Sequence, residues 1–97
     1  MNADDPRIRA IRQRIDDKRI TTFRQIFNNY PRSEFACALE METKQLRQSI
    51  ENPARLNVRN LIKLVVLIGI DIDVMMELIF HQLEQEKKYK RQKLKTR

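Results

Sequence analysis

The residues that interrupt regular structure are few, and each stands at an edge of a segment whose apolar residues have helical spacing. The sequence of 97 residues holds one glycine and three prolines. Pro6 follows Asp5, as a first helical residue follows its N-cap. Pro31 and Pro53 end apolar segments, and Gly69 stands where a helix would end. The sequence therefore predicts an all-α domain, large enough to form a modest core without a disulfide or a metal.

The apolar residues between these breaks predict five or six helices. The predicted boundaries are an N-cap at Asp5, a capping box of Thr22 and Gln25, a third helix over residues 33 to 39, a fourth over residues 43 to 52, a fifth capped by Asn57 and a last one capped by Asp71. The residues predicted to face the core are Ile8, Ile11, Ile15, Phe23, Ile26, Phe27, Tyr30, Phe35, Ala36, Leu39, Leu46, Ile50, Leu61, Leu64, Val65 and Ile68.

One segment could also form a strand. LVVLIGIDI, residues 64 to 72, is rich in β-branched side chains. The rest of the sequence offers neither a partner strand nor a hairpin turn, so a helix is favoured. The apolar run from residue 64 to residue 70 is too short to span a bilayer, and the N-terminus lacks the apolar stretch of a secretory signal. With a single cysteine, Cys37, no internal disulfide can form, and we expect a cytoplasmic protein without a membrane partner.

The net charge of +7 is concentrated at one end of the chain. Seven of the 20 Lys and Arg residues and no acidic residue lie in residues 87 to 97, so the other 13 bases balance the 13 Asp and Glu. Basic segments bind nucleic acid or anionic membranes, or are simply solvated. We divide the chain into a basic N-terminal helix (residues 1 to 20), a helical domain (21 to 86) and a basic tail (87 to 97) that frays beyond about Lys88.

A short helix, a tight turn, a second helix, an Asn-Pro step and two more capped helices follow one another from residue 21 to residue 83. This order resembles the helix-turn-helix domain of the phage-repressor and Cro-like (XRE) family. Ala36 matches the small residue of the first motif helix, Met41 the apolar residue after the turn and Leu46 the buried residue of the recognition helix. LNVRNLIKLVVLIGID is similar to the family's following helix, and ITTFRQIF with the basic tail is similar to a small bacterial subgroup.

Three residues depart from the family pattern. Glu40 occupies the turn position where glycine is usual, Glu42 stands where Ser, Thr or Asn commonly caps, and Ser49 replaces an apolar residue. The resemblance implies a lambda-repressor-like fold that binds double-stranded DNA in a sequence-specific manner. It further implies a small bacterial transcriptional regulator that acts as a homodimer.

The candidate recognition helix carries amide and basic side chains opposite its apolar side. At 100° per residue, Leu46 and Ile50 define the inward face and Gln48 lies opposite them. Lys and Arg can donate to guanine, and Gln to the adenine edge, in a major groove. A solvated helix face would have similar residues. The candidate DNA-contacting residues are Thr43, Lys44, Gln45, Arg47 and Gln48, with Arg55 and Arg59 as candidate phosphate contacts near the next helix N-terminus.

The last helix is unusually apolar: eight of the eleven residues from 70 to 80 are apolar. Such a helix is either deeply buried in a large monomer core or covered by a second subunit. The resemblance implies a dimer through the C-terminal helices. The predicted dimer contact comprises Met75, Met76, Ile79 and Phe80 on this helix, with Ile62 and Val66 on the preceding one.

The sequence offers no pattern of catalytic, metal-ligating or cofactor-binding residues. His81 is the only histidine and has no neighbouring cysteine or paired carboxylates, so we expect a surface histidine. Cys37 is expected to pack as a small apolar group. We therefore predict no enzyme activity, no metal, no cofactor and no small-molecule substrate. Two further hypotheses stay open: an antitoxin-like protein-interaction module, and an RNA-binding accessory protein. Only one aromatic residue, Tyr89, lies among the tail bases, which disfavours the latter.

Overall fold

The computed structural model of the chain describes residues 4–28 and 30–95, with side chains described as far as Lys87. As predicted, the fold is all-helical, and the described residues contain no strand, so segment 64 to 72 is not one. The five helices are α1 (Pro6–Asp16), α2 (Arg32–Ala38), α3 (Thr43–Glu51), α4 (Val58–Ile68) and α5 (Ile72–Lys95), and two short 3-10 helices cover Arg24–Phe27 and Pro53–Arg55.

Helix α1 begins as the sequence predicts. The Asp5 carboxylate accepts a hydrogen bond from the backbone N–H of Arg7, and Pro6 is the first helical residue. Its isoleucines are buried in the same core as the rest of the chain. The Arg12 guanidinium donates from Nε to the carbonyl of Ile68 at 2.8 Å, which joins α1 to the end of α4.

The segment after the predicted capping box forms a four-residue 3-10 helix instead of a longer α-helix. Half of the box is present, because Gln25 Oε1 accepts from the N–H groups of Thr21 and Thr22. No side chain caps the 3-10 helix from its N-terminal side. Its first N–H groups donate to α5 instead: Phe23 to the carbonyl of Leu78 at 3.2 Å and Arg24 to the side chain of Gln82 at 2.6 Å. These hydrogen bonds to α5 take the place of the intrahelical bonds of a longer helix.

Three helix ends use a residue with left-handed backbone conformation. Lys18 follows α1 with φ 62°, Glu40 follows α2 with φ 55°, and Gly69 follows α4 with φ 77°. At each end, the N–H of the next residue bonds back to the carbonyl five residues earlier, which is the Schellman arrangement. Gly69 had been predicted to end α4, and that prediction is confirmed. At Lys18 and Glu40 a residue with a Cβ adopts the same conformation at some cost in energy.

The core is built around a chain of aromatic rings. Phe23 packs edge-to-face on Phe27 with ring centroids 5.2 Å apart, and Phe35 packs in the same way on Phe27 and on Tyr30 at 4.9 Å. Such pairs add about 0.5–1.5 kcal/mol each beyond the burial of their area. The Arg7 guanidinium lies 4.2 Å from the centroid of the Tyr30 ring. Most residues predicted to face the core do so; Leu61 and Val65 are only partly buried.

Helix α5 continues further than predicted. It begins at Ile72, directly after the predicted N-cap Asp71, whose backbone carbonyl accepts from Met75 N–H at 3.2 Å. The helix reaches Lys95, whereas the sequence had suggested fraying beyond about Lys88. The absence of glycine and proline after Gly69 gives the helix no stop signal in this segment. Tyr89 and the tail bases after Lys87 belong to a segment whose side chains lie outside the described residues.

Candidate functional site

Helices α2 and α3 are joined by a turn of four residues whose geometry is set by backbone hydrogen bonds. The N–H of Met41 donates to the carbonyl of Ala36 at 2.9 Å, and that of Glu40 to Cys37 at 3.1 Å. Glu40 adopts the left-handed conformation at the position where the resemblance has glycine. This turn therefore adopts the left-handed conformation without glycine. Phe35 and Ala36 are buried at its base.

Helix α4 holds this turn in place through one lysine. Lys63 Nζ donates to the carbonyl of Leu39 at 3.2 Å and lies 3.7 Å from a carboxylate oxygen of Glu40. This carbonyl lies at the C-terminal end of α2, where carbonyl groups have no intrahelical partner and favour a nearby cation. The ion pair is weak because the Glu40 side chain is 83% exposed. The hydrogen bond to the carbonyl is therefore the contact that fixes the turn against α4.

The inward face of α3 consists of Leu46, Ser49 and Ile50, all buried. Leu46 and Ile50 confirm the predicted orientation of the helix. Ser49, where an apolar residue was expected, satisfies its hydroxyl by donating to the carbonyl of Gln45 at 3.1 Å. A buried serine is tolerated here because its polar atom has a partner within its own helix.

The C-terminal end of α3 is anchored by a buried glutamine of α5. Gln82 Nε2 donates to the carbonyl of Ile50 at 2.8 Å, while its Oε1 accepts from the N–H of Arg24 at 2.6 Å. Gln82 is 3% exposed. One amide thus completes two helix ends, the last turn of α3 and the first turn of the 3-10 helix. This role could not be predicted from the sequence, because a lone glutamine in a helical pattern is normally a surface residue.

The outward face of α3 presents Lys44, Gln45, Arg47 and Gln48, all exposed. None of these four side chains forms a hydrogen bond or an ion pair with another described residue. Thr43, the first residue of α3, is half-buried, and Glu42 before it provides no side-chain cap. The donors of this face are therefore available to an external partner, on a helix whose other face is fixed in the core.

Several other bases of the domain form ion pairs within the chain. Arg7 pairs with Asp5 and Glu34, Arg24 with Glu86, and Lys63 with Glu40. The Arg7 hydrogen bond lowers the pKa of the Asp5 carboxyl below its ordinary value. Burial raises the pKa of Tyr30. The ion pair of Arg7 with Glu34 joins α1 to α2, and none of the paired bases belongs to the outward face of α3.

The two candidate phosphate contacts lie on the segment that follows α3. Arg55 ends the second 3-10 helix and Arg59 lies in the first turn of α4; both are exposed and have no described partner. Asn52 caps the second 3-10 helix by accepting a hydrogen bond from Ala54 N at 3.2 Å. Asn57 caps α4, as predicted, by accepting from Asn60 N at 2.8 Å. The two capped ends fix the backbone at both arginines.

The predicted dimer contact needs a correction. Met75 and Ile79 are buried in the core of one chain, Met75 completely, so they cannot also lie on a surface. Helix α5 contacts α3, α4 and both 3-10 helices, which accounts for much of its apolar character. Met76 is half-buried. Among the side chains that the structure describes, the large apolar residues that are exposed are Val58, Ile62, Val66, Ile72 and Phe80.

These five residues occupy two helices at regular intervals. Val58, Ile62 and Val66 follow each other every four residues on α4, and Ile72 and Phe80 lie eight residues apart on α5, with Met76 between them. Residues four apart share one face of a helix. Val58 and Ile72 are exposed as well, although neither was among the predicted dimer contacts.

The remaining candidate chemistry is sparse. Cys37 is exposed and does not pack as an apolar group, because it lies on the outer side of α2. His81 is exposed as expected, with Nδ1 3.2 Å from the carbonyl oxygen of Thr21. Within residues 4–28 and 30–87, no group of His, Cys, Asp and Glu is arranged to hold a metal ion. No helix in the described part of the chain is long and apolar enough to cross a membrane.

Comparison of the chain with models of protein families, with curated proteins and with solved structures finds no match.

Proposed function

We propose that the protein binds double-stranded DNA in a sequence-specific manner, with α3 as the recognition helix, and acts as a small transcriptional regulator. The observation that carries this proposal is the outward face of α3. Lys44, Gln45, Arg47 and Gln48 present donors that no described residue uses, while Leu46 and Ile50 hold the opposite side in the core. The resemblance to the phage-repressor and Cro-like helix-turn-helix family adds support from the order of the helices.

The chemistry of these side chains suits a major groove. Gln45 and Gln48 can each form two hydrogen bonds with an adenine edge, and Lys44 and Arg47 can donate to guanine. Arg55 and Arg59 lie on capped segments after α3 and would neutralise backbone phosphates, which position a protein without reading sequence. Thr43 at the uncapped start of α3 could contact a phosphate through its backbone N–H.

A homodimer would contact a longer stretch of DNA than the outward face of a single α3 can. The exposed apolar residues of α4 and α5, Val58, Ile62, Val66, Ile72 and Phe80, would form the contact in place of Met75 and Ile79. An interface of ordinary size buries about 800 Å² per partner. Replacing Ile62 and Val66 together with Lys should halve the mass measured by light scattering while the helical content is kept. A wild-type chain that stays monomeric at micromolar concentration would remove the dimer from the proposal.

The same exposed apolar residues favour one alternative, a protein-interaction module such as an antitoxin. There they would contact a different protein, and DNA binding would be secondary. The two proposals differ in what the purified chain does alone. A regulator dimerises and binds a defined duplex without any other protein, whereas an interaction module leaves its apolar face open until its partner is added.

Selection of bound sites from random duplex DNA tests the proposed function directly. A defined palindrome is the expected result, because two copies related by symmetry read two half-sites. Replacing Lys44 or Gln48 with Ala should weaken the selected site by about 1–3 kcal/mol and leave random DNA nearly unchanged. Arg32→Ala, at an exposed base on α2, is the matched control. Equal losses on selected and random duplexes would show that α3 does not read sequence.

A further inference from the structure

A small pocket lies between the end of α1 and the first 3-10 helix, among residues to which the proposed function gives no role. Its volume is about 230 Å³, and it is lined by Arg14, Arg19, Ile20, Gln25 and Asn28. Four of these five residues carry side-chain hydrogen-bond donors, and none of them is a carboxylate. The lining is therefore positive and rich in donors.

The two arginines are brought together by the way α1 ends. The carbonyl of Arg14 accepts hydrogen bonds from the N–H groups of Arg19 at 2.9 Å and Ile20 at 3.1 Å, across the left-handed residue Lys18. The chain therefore reverses at once and returns Arg19 to the last turn of α1, while the buried side chain of Ile20 fixes the turn to the core. Neither guanidinium forms a hydrogen bond or ion pair with another described residue. Two like charges held at one pocket repel each other, and a bound anion would remove that repulsion.

The orientation of the Gln25 amide adds a third donor. Its Oε1 accepts from the backbone N–H of Thr21 at 2.6 Å and of Thr22 at 3.3 Å. Since two N–H donors can only meet an oxygen, Nε2 must be the other end of this amide. No described residue accepts a hydrogen bond from this Nε2. The exposed amide of Asn28 completes the lining.

We propose that this pocket binds one phosphate group. The planar guanidinium fork matches the oxygens of phosphate, and its charge-assisted bonds are among the stronger hydrogen bonds in proteins. Pockets that enclose whole small molecules usually measure about 300–1,000 Å³. This pocket is smaller and open to solvent, so it holds a single group. The group comes either from a phosphorylated small molecule or from the backbone of a nucleic acid.

Titration with inorganic phosphate, followed by the backbone and side-chain amide signals in a two-dimensional NMR spectrum, tests the pocket. Saturable shifts at residues 14 to 20 and at the Gln25 side chain are expected, with no such change in chloride at equal ionic strength. Arg14→Gln and Arg19→Gln should each lower the affinity for phosphate about 10-fold or more, because each removes a charged donor. Arg32→Gln, at an exposed base on another helix, should leave the titration unchanged. Shifts that do not saturate, or that chloride reproduces, in the wild-type protein would overturn the proposal.

A second titration, with duplex DNA of random sequence, separates the two sources of phosphate. If the group belongs to the DNA backbone, the duplex shifts the same signals, and Arg14→Gln makes the slope of log K against log salt shallower by about one unit. If it belongs to a small molecule, the duplex leaves those signals in place and inorganic phosphate still moves them. The phosphate titration contains no DNA, so failure of α3 to bind a duplex would leave its result intact.

Discussion

Gln82→Met keeps the length of the side chain. It should nevertheless destabilise the fold more than most single substitutions of this kind. Methionine fits the space of glutamine but neither donates nor accepts a strong hydrogen bond. The change would leave the carbonyl of Ile50 and the N–H of Arg24 without their partner at two helix ends. Both ends would then contain a polar backbone group shielded from water.

The size of the effect follows from these two groups. A buried donor or acceptor that loses its partner costs about 1–3 kcal/mol, and the apolar methionine side chain recovers part of the sum. We expect a net loss of about 2–4 kcal/mol, a large share of the 5–15 kcal/mol that holds a typical domain folded. Urea denaturation followed by circular dichroism measures it. Gln85→Met, at an exposed position of the same helix, should change stability by less than about 0.5 kcal/mol.

A charged isostere, Gln82→Glu, tests how the loss of stability depends on pH as well as how large the loss is. In Gln82→Glu the carboxylate still accepts from Arg24 N–H, but it places a negative oxygen against the Ile50 carbonyl unless it is protonated. The folded state therefore raises the pKa of the introduced carboxyl, so the stability of this variant is fully present below the usual glutamate pKa and is lost as pH rises. Relative to the wild type, it should be less destabilised near pH 4 than near pH 7. A loss under about 1 kcal/mol in Gln82→Met, or equal losses of Gln82→Glu at both pH values, would refute the role assigned to Gln82.

Three further changes test other parts of the fold. Glu40→Gly should stabilise the domain by about 0.5–1 kcal/mol in thermal unfolding, because glycine takes the left-handed conformation without strain and the exposed ion pair with Lys63 contributes little. Gly69→Ala should cost about 1–2 kcal/mol, since φ is 77° and the added Cβ would lie 3.1 Å from the Arg12 guanidinium, whereas Lys18→Ala should cost almost nothing. Asp5→Asn keeps the cap but not the charge. Because the pKa of Asp5 is lowered in the folded state, the stabilisation by its carboxylate is present above the ordinary aspartate pKa and is lost as pH falls below it. The wild type and the variant should therefore converge in stability in acid.

The helices could be predicted from the sequence because their ends carry local signals. Asp5, Asn57 and Gly69 act through atoms within a few residues of themselves, so their roles are visible in the sequence. The orientation of α3 was equally accessible, because Leu46 and Ile50 repeat at helical spacing. The short 3-10 helix was not, since its N–H groups bond to α5, more than fifty residues away.

Burial on α5 could not be predicted from its composition alone. An apolar residue looks the same in the sequence whether it faces the core or a partner, so Met75 and Phe80 received the same assignment although only Met75 is buried. The buried role of Gln82 depends on two backbone groups from other parts of the chain. The pocket beside Arg14 depends likewise on a chain reversal at Lys18, a left-handed position that carries no glycine to mark it.

The exposed Cys37 makes this chain convenient to label. It is the only thiol in the sequence and lies on the short helix that precedes α3. One spin label or fluorophore per chain would report distances between two copies, and a change of its surroundings when a duplex is added. The same thiol also creates a hazard, since two exposed cysteines can join through a disulfide in air. A doubled mass therefore indicates non-covalent association only when a reductant is present.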